Sequence, residues 1–299
     1  MDHLMAPHHS QRASATSEER RRFIHIASAG VAFQAGSSAV DSSTIMAALI
    51  FQLTGSPLAV GAVTAILRVG WLSPQLFVGF LAQRRASSMR YYVVGGFGRA
   101  ACMLALALVL YVGAGAPGNM LGALVLLLWT AYAFVSGIVA VPYNDIVARS
   151  VQPTRRSRLL AIRFFGGGVL ALAFAAVASE LLARLTFPVS YAAITLLAGT
   201  AMLFSATFFV AMGEPIGQGR TPDKATFAAY LRQGAKTFRT DRRFRLFVVA
   251  QWSGGLVLVA MPFYVVQAIA DGMAPSDVAM LLAAQTMGAI LSNFLWGWW

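Results

Sequence analysis

The sequence predicts an all-α integral membrane protein. Hydrophobic residues make up 58% of the chain and charged residues only 11%, whereas an ordinary soluble domain carries about 25% charged residues. Apolar runs of about 20 residues or more, the length that a helix needs to cross the hydrocarbon core, recur along the whole chain. The Lys and Arg residues also gather on alternate connections between these runs, a pattern typical of membrane proteins.

We predict eight membrane-spanning helices in this chain. They cover residues 24–53, 57–82, 91–114, 120–143, 159–184, 187–212, 244–270 and 276–299. Short turns that contain Gly or Pro join the first two helices, the third and fourth, and the last two. The predicted organisation is a cytoplasmic polar tail (1–22), a six-helix transmembrane bundle (23–212), a cytoplasmic amphipathic linker (213–243) and the incomplete start of a second bundle (244–299).

The basic residues predict the orientation of the helices. Of the 23 Lys and Arg residues, four lie in the tail, three in 83–90, four in 145–158 and eight in 213–245. All of these segments fall on one predicted face, which the positive-inside rule places in the cytoplasm together with the N-terminus. The net charge of +12 therefore indicates topology and not nucleic-acid binding. We expect a plasma-membrane protein, of the bacterial inner-membrane type, with the lipid bilayer as its surroundings.

The linker 213–243 contains a predicted amphipathic helix. Thr221-Pro222 has the pattern of an N-cap followed by a first-turn proline. Apolar residues then recur at helical spacing, while cations line another face; they are Phe227, Tyr230, Leu231 and Phe238, and Arg232, Lys236, Arg239 and Arg243. This pattern predicts a helix on the cytoplasmic leaflet with its cations toward anionic headgroups. A regulatory protein-binding helix is the alternative.

Three predicted spans carry a polar stripe. The stripes consist of Gln34, Ser37, Asp41 and Thr44; of Thr64, Arg68, Trp71 and Gln75; and of Trp129, Tyr132, Ser136 and Tyr143. Lipid offers such side chains no partners, so each stripe is expected to face the interior of the bundle. For the hydroxyl groups, hydrogen bonding between helices is the alternative reading.

Asp41 and Arg68 are predicted to form a charged pair near the middle of the membrane. Asp41 lies 13 residues before Thr54, and Arg68 lies 11 residues after Pro57. Both therefore fall roughly 16–20 Å from the same membrane face, where an unpaired charge costs at least roughly 2.5–3.5 kcal/mol. Asp41 is the expected proton carrier. Arg68 hints at an anionic group on the solute, and the alternative is that Asp41 already neutralises its charge. Gln285 in span eight is expected to face the same cavity.

An internal repeat relates two segments of the chain. A shift of 218 residues places Pro57 on Pro275 and Gly79 on Gly297 without a gap. Both segments begin after a non-cytoplasmic turn and reach a glycine at the cytoplasmic end, so span eight reads as a second copy of span two. Because the chain stops at Trp299 while the first copy continues into a basic loop, we expect a truncated sequence that lacks four further spans.

Two motifs resemble the major facilitator superfamily of secondary transporters. Gly79-Phe80-Leu81-Ala82-Gln83-Arg84-Arg85 is similar to the superfamily's Gly-x-Leu-Ala-Asp-Arg loop signature, with Gln83 in place of the aspartate. The second similarity runs from Pro142-Tyr143-Asn144-Asp145 to Arg158, a proline-ended fourth helix followed by a basic loop. The arginine in helix four and the Gly-Pro in helix five that proton-driven drug exporters usually carry are absent here. A typical drug–proton antiporter is therefore not supported.

The resemblance implies a monomeric transporter that moves a small-molecule solute, with protons as the candidate coupling ion, by alternating access. The expected solute and ion pathway consists of Gln34, Ser37, Asp41, Arg68, Gln75, Trp129, Tyr132 and Gln285. The expected cytoplasmic gate consists of Gly79, Gln83, Arg84, Arg99, Asp145 and Arg163. Arg99 and Arg163 could instead snorkel to the membrane surface.

Other classes of protein fit the sequence less well. A non-transporting scaffold or receptor with the same fold is the main alternative to a transporter, and an integral-membrane enzyme comes third. No Ser-His-Asp arrangement is evident, and no cofactor or metal site is expected. Cys102 is read as a small apolar residue, Glu180 and Arg184 as a pair at the membrane surface, and the glycines at 95–96 and 166–168 as sites where helices pack closely.

Overall fold

The protein is built from α-helices. The computed structural model describes residues 6–82, 87–215 and 226–298, and these residues contain ten α-helices, one 3-10 turn and no strand. Six of the helices are long and apolar enough to cross a membrane. The chain is therefore an all-α membrane protein.

The first seven helices are α1 (Ala6–Ala39), α2 (Ile45–Thr54), α3 (Pro57–Ala82), α4 (Met89–Val112), α5 (Gly118–Ser150), α6 (Pro153–Arg184) and α7 (Val189–Ala211). They are followed by α8 (Phe227–Thr240), α9 (Arg242–Ala270), the 3-10 turn Pro275–Asp277 and α10 (Val278–Trp298). The six that meet the length and composition required of a span are α3 to α7 and α9. They start or end within a few residues of six predicted spans, except that α5 and α6 extend further into the connection between them.

The first predicted span is not one continuous helix. Residues 40–44 separate α1 from α2, and Asp41 lies inside this break. Oδ1 of Asp41 accepts hydrogen bonds from the backbone N–H of Ser43 at 2.9 Å and from the hydroxyls of Ser43 and Thr44 at 2.6 and 3.1 Å. Short polar side chains that bond to nearby backbone compete with the helical hydrogen bonds, which explains the break. The prediction of an unbroken helix over 24–53 was wrong.

Helix α1 also begins earlier than the predicted span. It starts at Ala6, inside the segment 1–22 that was predicted to be a separate tail. Arg22 pairs with Glu18 one turn away at 2.6 Å. Glu19 lies 3.7 Å from Arg155 of α6. The N-terminal part of α1 therefore contacts the polar end of the bundle.

The helices pack as one bundle to which the last two helices are attached. Helix α1 packs against α6 and α7, α4 against α5 and α7, and α3 against α5. Contacts of α6 with α10 and of α3 with α9 join the last two helices to the others. One apolar cluster centres on Ile45, Met103 and Trp129, and a second centres on Tyr92, Ile146 and Phe209.

Glycines allow two of these helix contacts. A Cβ atom on Gly95 of α4 would lie 2.5 Å from Cγ2 of Val139 in α5. A Cβ atom on Gly167 of α6 would lie 2.5 Å from Cβ of Gln34 in α1. Both distances are too short for any other residue, so the interpretation of these glycines as sites of close helix packing is confirmed.

The linker helix docks on the end of α3. Helix α8 begins at Phe227, and Oγ1 of its N-cap Thr226 accepts a hydrogen bond from the backbone N–H of Ala229. The predicted cap at Thr221-Pro222 lies outside the described residues. The Phe227 ring lies 4.8 Å from that of Phe77 and 5.2 Å from that of Phe80. The first turn of α8 therefore packs on protein, in addition to any contact with lipid.

Candidate functional site

A cavity of about 370 Å³ lies between α1, α3, α4, α5, α6 and α7. Its wall contains three arginines and three tyrosines, namely Arg68, Arg99, Arg163, Tyr92, Tyr132 and Tyr143. We call it the arginine cavity. It also reaches residues of both apolar clusters, Tyr132 from the first and Tyr92 and Val139 from the second. The cavity therefore interrupts the apolar interior of the bundle that α1 to α7 form. We keep the name six-helix bundle for it, with α1 and α2 counted as the first span.

Arg99 is the most deeply placed of the three cations. Only 5% of its surface is exposed. Its guanidinium carbon lies 4.0 Å from the ring centroid of Phe33, which is the geometry of a cation–π contact. Its Nε atom is buried and has no hydrogen-bond partner among the described residues. A buried N–H of a charged group without an acceptor is costly. The ring of Phe33 therefore holds Arg99 in place while its Nε–H donor stays unbonded to any described residue.

Arg163 approaches the same cavity from α6. Its guanidinium carbon lies 5.1 Å from the ring centroid of Tyr143 and 5.5 Å from that of Phe164. Its Nε atom, like that of Arg99, is buried without a partner in the described part of the chain. Gly30 makes room for its stem, because a Cβ atom there would lie 3.0 Å from Cγ and Cδ of Arg163.

The arginine cavity has a net positive charge. Arg68 is exposed on α3 and contributes the third cation. No carboxylate is among the lining residues, and none of the three arginines forms an ion pair with a described residue. The cavity wall is therefore rich in hydrogen-bond donors and has no negative charge of its own to neutralise them.

A second cavity of about 300 Å³ lies between α1, α6 and α10. We call it the Asp41 cavity, because Asp41 is the acidic residue in its wall. Gln34 on α1 and Gln285 and Thr286 on α10 supply further polar side chains. Ser37 lines both cavities, so the two lie on either side of one turn of α1. Gln285 was predicted to share a cavity with Asp41 and Arg68; it lines the cavity of Asp41, whereas Arg68 lines the other one.

Asp41 and Arg68 do not form the predicted pair. They line different cavities, and no ion pair joins them. The reason is the break in the first span, where the Asp41 carboxylate accepts three hydrogen bonds from Ser43 and Thr44. One oxygen of the Asp41 carboxylate, Oδ1, is thus bonded within its own segment and not to the cation on the next helix.

The predicted gate is also arranged differently. Asp145 accepts hydrogen bonds from Ser88 Oγ at 2.6 Å and Arg149 Nη2 at 2.7 Å, whereas Arg99 and Arg163 line the arginine cavity. The prediction that these two arginines surround Asp145 was wrong. Their guanidinium groups lie against aromatic rings inside the bundle. Gln83 and Arg84 lie outside the described residues, so their part in a gate stays a prediction.

Glu214, just after α7, completes the cluster around Asp145. Its carboxylate accepts hydrogen bonds from Arg149, from the Ser87 hydroxyl and from the backbone N–H groups of Ser88 and Met89. The last two belong to the start of α4, where a negative charge is favourable. Partial burial raises the pKa of Glu214, but the hydrogen bonds from Ser87, Arg149 and the backbone outweigh it and hold that pKa below its ordinary value.

Three other predicted residues have structural contacts. Trp129 is 1% exposed and donates a hydrogen bond from Nε1 to the backbone oxygen of Val63 at 2.9 Å. Gln75 donates to the backbone oxygen of Trp71 on its own helix at 2.8 Å. Neither side chain is among the described lining of the two cavities, and the assignment of both residues to the pathway stays a prediction. A Cβ atom on Gly79 would lie 3.2 Å from the Tyr230 hydroxyl, so this glycine faces α8.

The sequence analysis missed the contribution of α4 and α6 to the cavity. Tyr92 and Arg99 are seven residues apart and therefore lie on one face of α4. This spacing was the available signal. Comparison with known proteins adds no assignment: no family model matches the chain, and no curated protein matches it significantly. Within the described residues, no group of three His, Cys, Asp or Glu side chains is placed to hold a metal ion.

Proposed function

We propose that this protein is a secondary transporter that carries a small solute across a membrane by alternating access. The observation that carries the proposal is the arginine cavity, a space inside the bundle whose cations form no ion pair with any described residue. Placing charges at this depth is expensive, and such residues in other membrane proteins mark the pathways of substrates and ions. The room in the cavity is that of a site for a small molecule.

The arrangement that we propose is that of the major facilitator superfamily. The support is the loop similarity at Gly79 to Arg85, the repeat that relates Pro57 to Pro275, and the attachment of α9 and α10 to the six-helix bundle through α3 and α6. In such transporters two bundles move relative to each other around a central site. We also propose the plasma membrane as location and a cytoplasmic N-terminus, on the distribution of the basic residues.

Asp41 is our candidate for the proton carrier. It is the acidic residue in the wall of a cavity that is shared between α1, α6 and α10. If α10 moves relative to α1, the surroundings of this carboxylate change, and its proton affinity changes with them. Proton binding is then linked to the conformational equilibrium.

The transport proposal is tested with the full chain in proteoliposomes. Uptake of labelled phenylacetate, phenylalanine, glucose and phenethylamine is measured against protein-free vesicles, with and without an inward proton gradient. Time-dependent accumulation of any of them supports transport. If none accumulates, the alternative of a non-transporting scaffold or receptor is favoured.

The coupling proposal is tested with Asp41→Asn. We expect this variant to lose accumulation driven by the proton gradient while it retains exchange of solute. Asp271→Asn is the matched control, since Asp271 is exposed and bonded only to Gln267 four residues away among the described contacts of its side chain. Undiminished proton-driven uptake in Asp41→Asn contradicts the assignment of Asp41.

A further inference from the structure

The chemistry of the arginine cavity defines a class of ligand. We propose that it binds an organic anion. Arg99 and Arg163 hold the carboxylate or phosphate group of this anion. Its apolar or aromatic body lies against the rings of Trp71, Phe33 and Tyr132. This inference rests on the proposed function in that it names the solute class. The binding step can be measured without any transport.

Charge is the first argument for an anion. Three guanidinium groups line the cavity and no described carboxylate does. Asp41 lines the neighbouring cavity, and its Oδ1 accepts hydrogen bonds from Ser43 and Thr44. The three cations line one cavity and repel one another, and the most buried of them, Arg99, lacks the counter-charge that a buried ion needs. An incoming anion supplies that charge, whereas a cationic solute would add to the repulsion.

The second argument is the geometry of Arg99, which is buried, and of Arg163, which is half-buried. Each is supported by an aromatic ring, Arg99 by Phe33 at 4.0 Å and Arg163 by Tyr143 at 5.1 Å. The face of an aromatic ring stabilises the cation but leaves the N–H donors at the edge of the guanidinium group available to an anion. Nε of each arginine is buried and has no partner among the described residues. A guanidinium group in this situation presents a planar fork of donors that matches the oxygens of a carboxylate or phosphate.

A purely structural role for Arg99 and Arg163 does not explain why neither has a polar partner among the described residues. An arginine that only holds helices together usually bonds to a carboxylate or a backbone carbonyl on the neighbouring helix. Arg149 of α5 does so in this protein, with Glu214 and the backbone oxygen of Pro215 just after α7, and it also bonds to Asp145 on its own helix. Neither Arg99 nor Arg163 has such a partner in the part of the chain that the structure describes. Their position is that of binding groups.

The third argument concerns the rest of the ligand. The cavity volume of about 370 Å³ exceeds what an inorganic ion would fill and lies in the range of sites for small organic molecules. Phe33, Trp71 and Tyr132 contribute aromatic surface to the same wall. The combination of cations with rings selects an anion that carries an apolar body.

The experiment compares matched probes on the full-length protein in phosphatidylcholine nanodiscs. Phenylacetate and phenyl phosphate are the anions, phenylacetamide is the neutral analogue and phenethylamine is the cationic one. Binding is measured by isothermal titration calorimetry and by the shift in melting temperature. We expect at least one anion to bind at least tenfold more tightly than the neutral amide, and the amine to bind more weakly still.

Variants connect this preference to the cavity. Arg99→Gln and Arg163→Gln are each expected to weaken the binding of that anion at least tenfold. The control Arg184→Gln is expected to leave it unchanged, because the Arg184 side chain is 79% exposed and pairs with Glu180. Arg163→Lys keeps the charge and loses the planar fork, so it is expected to fall between wild type and Arg163→Gln. Arg163→Lys also provides the test of Arg163 if Arg163→Gln does not fold.

Two outcomes overturn the anion assignment. One is binding of the neutral amide or the amine as tight as that of the anion that binds more tightly. The other is retention of anion binding in folded variants of Arg99 and Arg163. Failure of the proposed function is distinguishable from both: anions that bind through these arginines but never cross proteoliposomes contradict transport alone, and flux of glucose without anion binding contradicts the anion alone.

Discussion

Gly30 on α1 and Arg163 on α6 are in contact across the wall of the arginine cavity. A Cβ atom at position 30 would lie 3.0 Å from both Cγ and Cδ of Arg163. The stem of the arginine thus occupies the space that a side chain on α1 would take. The absence of a side chain at one position sets where the cation on the other helix lies.

Gly30→Ala is therefore expected to displace Arg163 while the bundle stays folded. The neighbouring atoms belong to a flexible side chain, which can shift, and alanine favours the helix over glycine. We expect the binding of phenylacetate to weaken by about tenfold, the order of one hydrogen bond to a charged group. Gly254→Ala is the control, since a Cβ atom there meets nothing within 4 Å. Equal affinity in the two variants would contradict the contact.

Trp129→Phe is expected to lower stability and not ligand affinity. The substitution removes the hydrogen bond from Nε1 to Val63 and part of a buried ring. The expected loss is about 1 to 2 kcal/mol. It is measured by thermal or denaturant unfolding in nanodiscs. A large fall in phenylacetate affinity at unchanged stability would contradict this and support the place of Trp129 in the pathway that the sequence predicted.

Glu214 is expected to make the protein less stable in acid. Its pKa in the folded protein lies below the ordinary value of 4.5, so the carboxylate contributes stability above that value. The contribution is lost as the pH falls through the lower, folded pKa. Between pH 7 and pH 3 the melting temperature of wild type should fall further than that of Glu214→Gln, which lacks this contribution throughout.

Glu180→Gln provides the comparison for Glu214→Gln. The Glu180 side chain is 65% exposed and pairs with an exposed arginine, and such surface pairs contribute little. We expect Glu180→Gln to follow the acid profile of wild type. Identical profiles for all three proteins would show that the contacts of Glu214 with the start of α4 do not contribute to stability.

Phe227→Ala is expected to release α8 from the end of α3. The variant loses ring contacts with Phe77 and Phe80, each of which contributes about 0.5 to 1.5 kcal/mol. Faster amide hydrogen exchange over residues 227–240 is the expected result. Leu231→Ala is the control, since Leu231 is 42% exposed. Exchange that is unchanged in both variants would mean that lipid contact or the covalent join to α9 alone orders the helix.

The sequence predicted the helices better than the site, and the reason is physical. An apolar run of the length of a membrane span has few alternatives to a helix, so α3 to α7 and α9 follow from composition. The break at Asp41 could not be read in this way, because the hydrogen bonds of Ser43 and Thr44 to its carboxylate are local and depend on geometry. The prediction of a polar stripe from Gln34 to Thr44 assumed a regular helix through Asp41.

The site residues show the same limit. Arg68, Ser37 and Tyr132 were expected to face the interior and do line the arginine cavity. Arg99 and Arg163 were assigned to a gate, since their depth along the chain does not reveal that Phe33 and Tyr143 support them inside the bundle. Trp129 continues the same stripe, but its indole packs into the core. Periodicity identifies the face of a helix and not the neighbour that this face meets.

The two cavities share Ser37, but only one of them includes residues of the last two helices. The described residues that line the arginine cavity lie between Ala29 and Ser205, in the six-helix bundle. The Asp41 cavity takes Gln285, Thr286 and Ile290 from α10. A rigid displacement of α10 reshapes the second cavity and leaves the wall of the first intact. If the proposed transporter binds its solute in the arginine cavity and moves at α10, substitutions in the first cavity alter affinity, and substitutions in the second alter the conformational equilibrium.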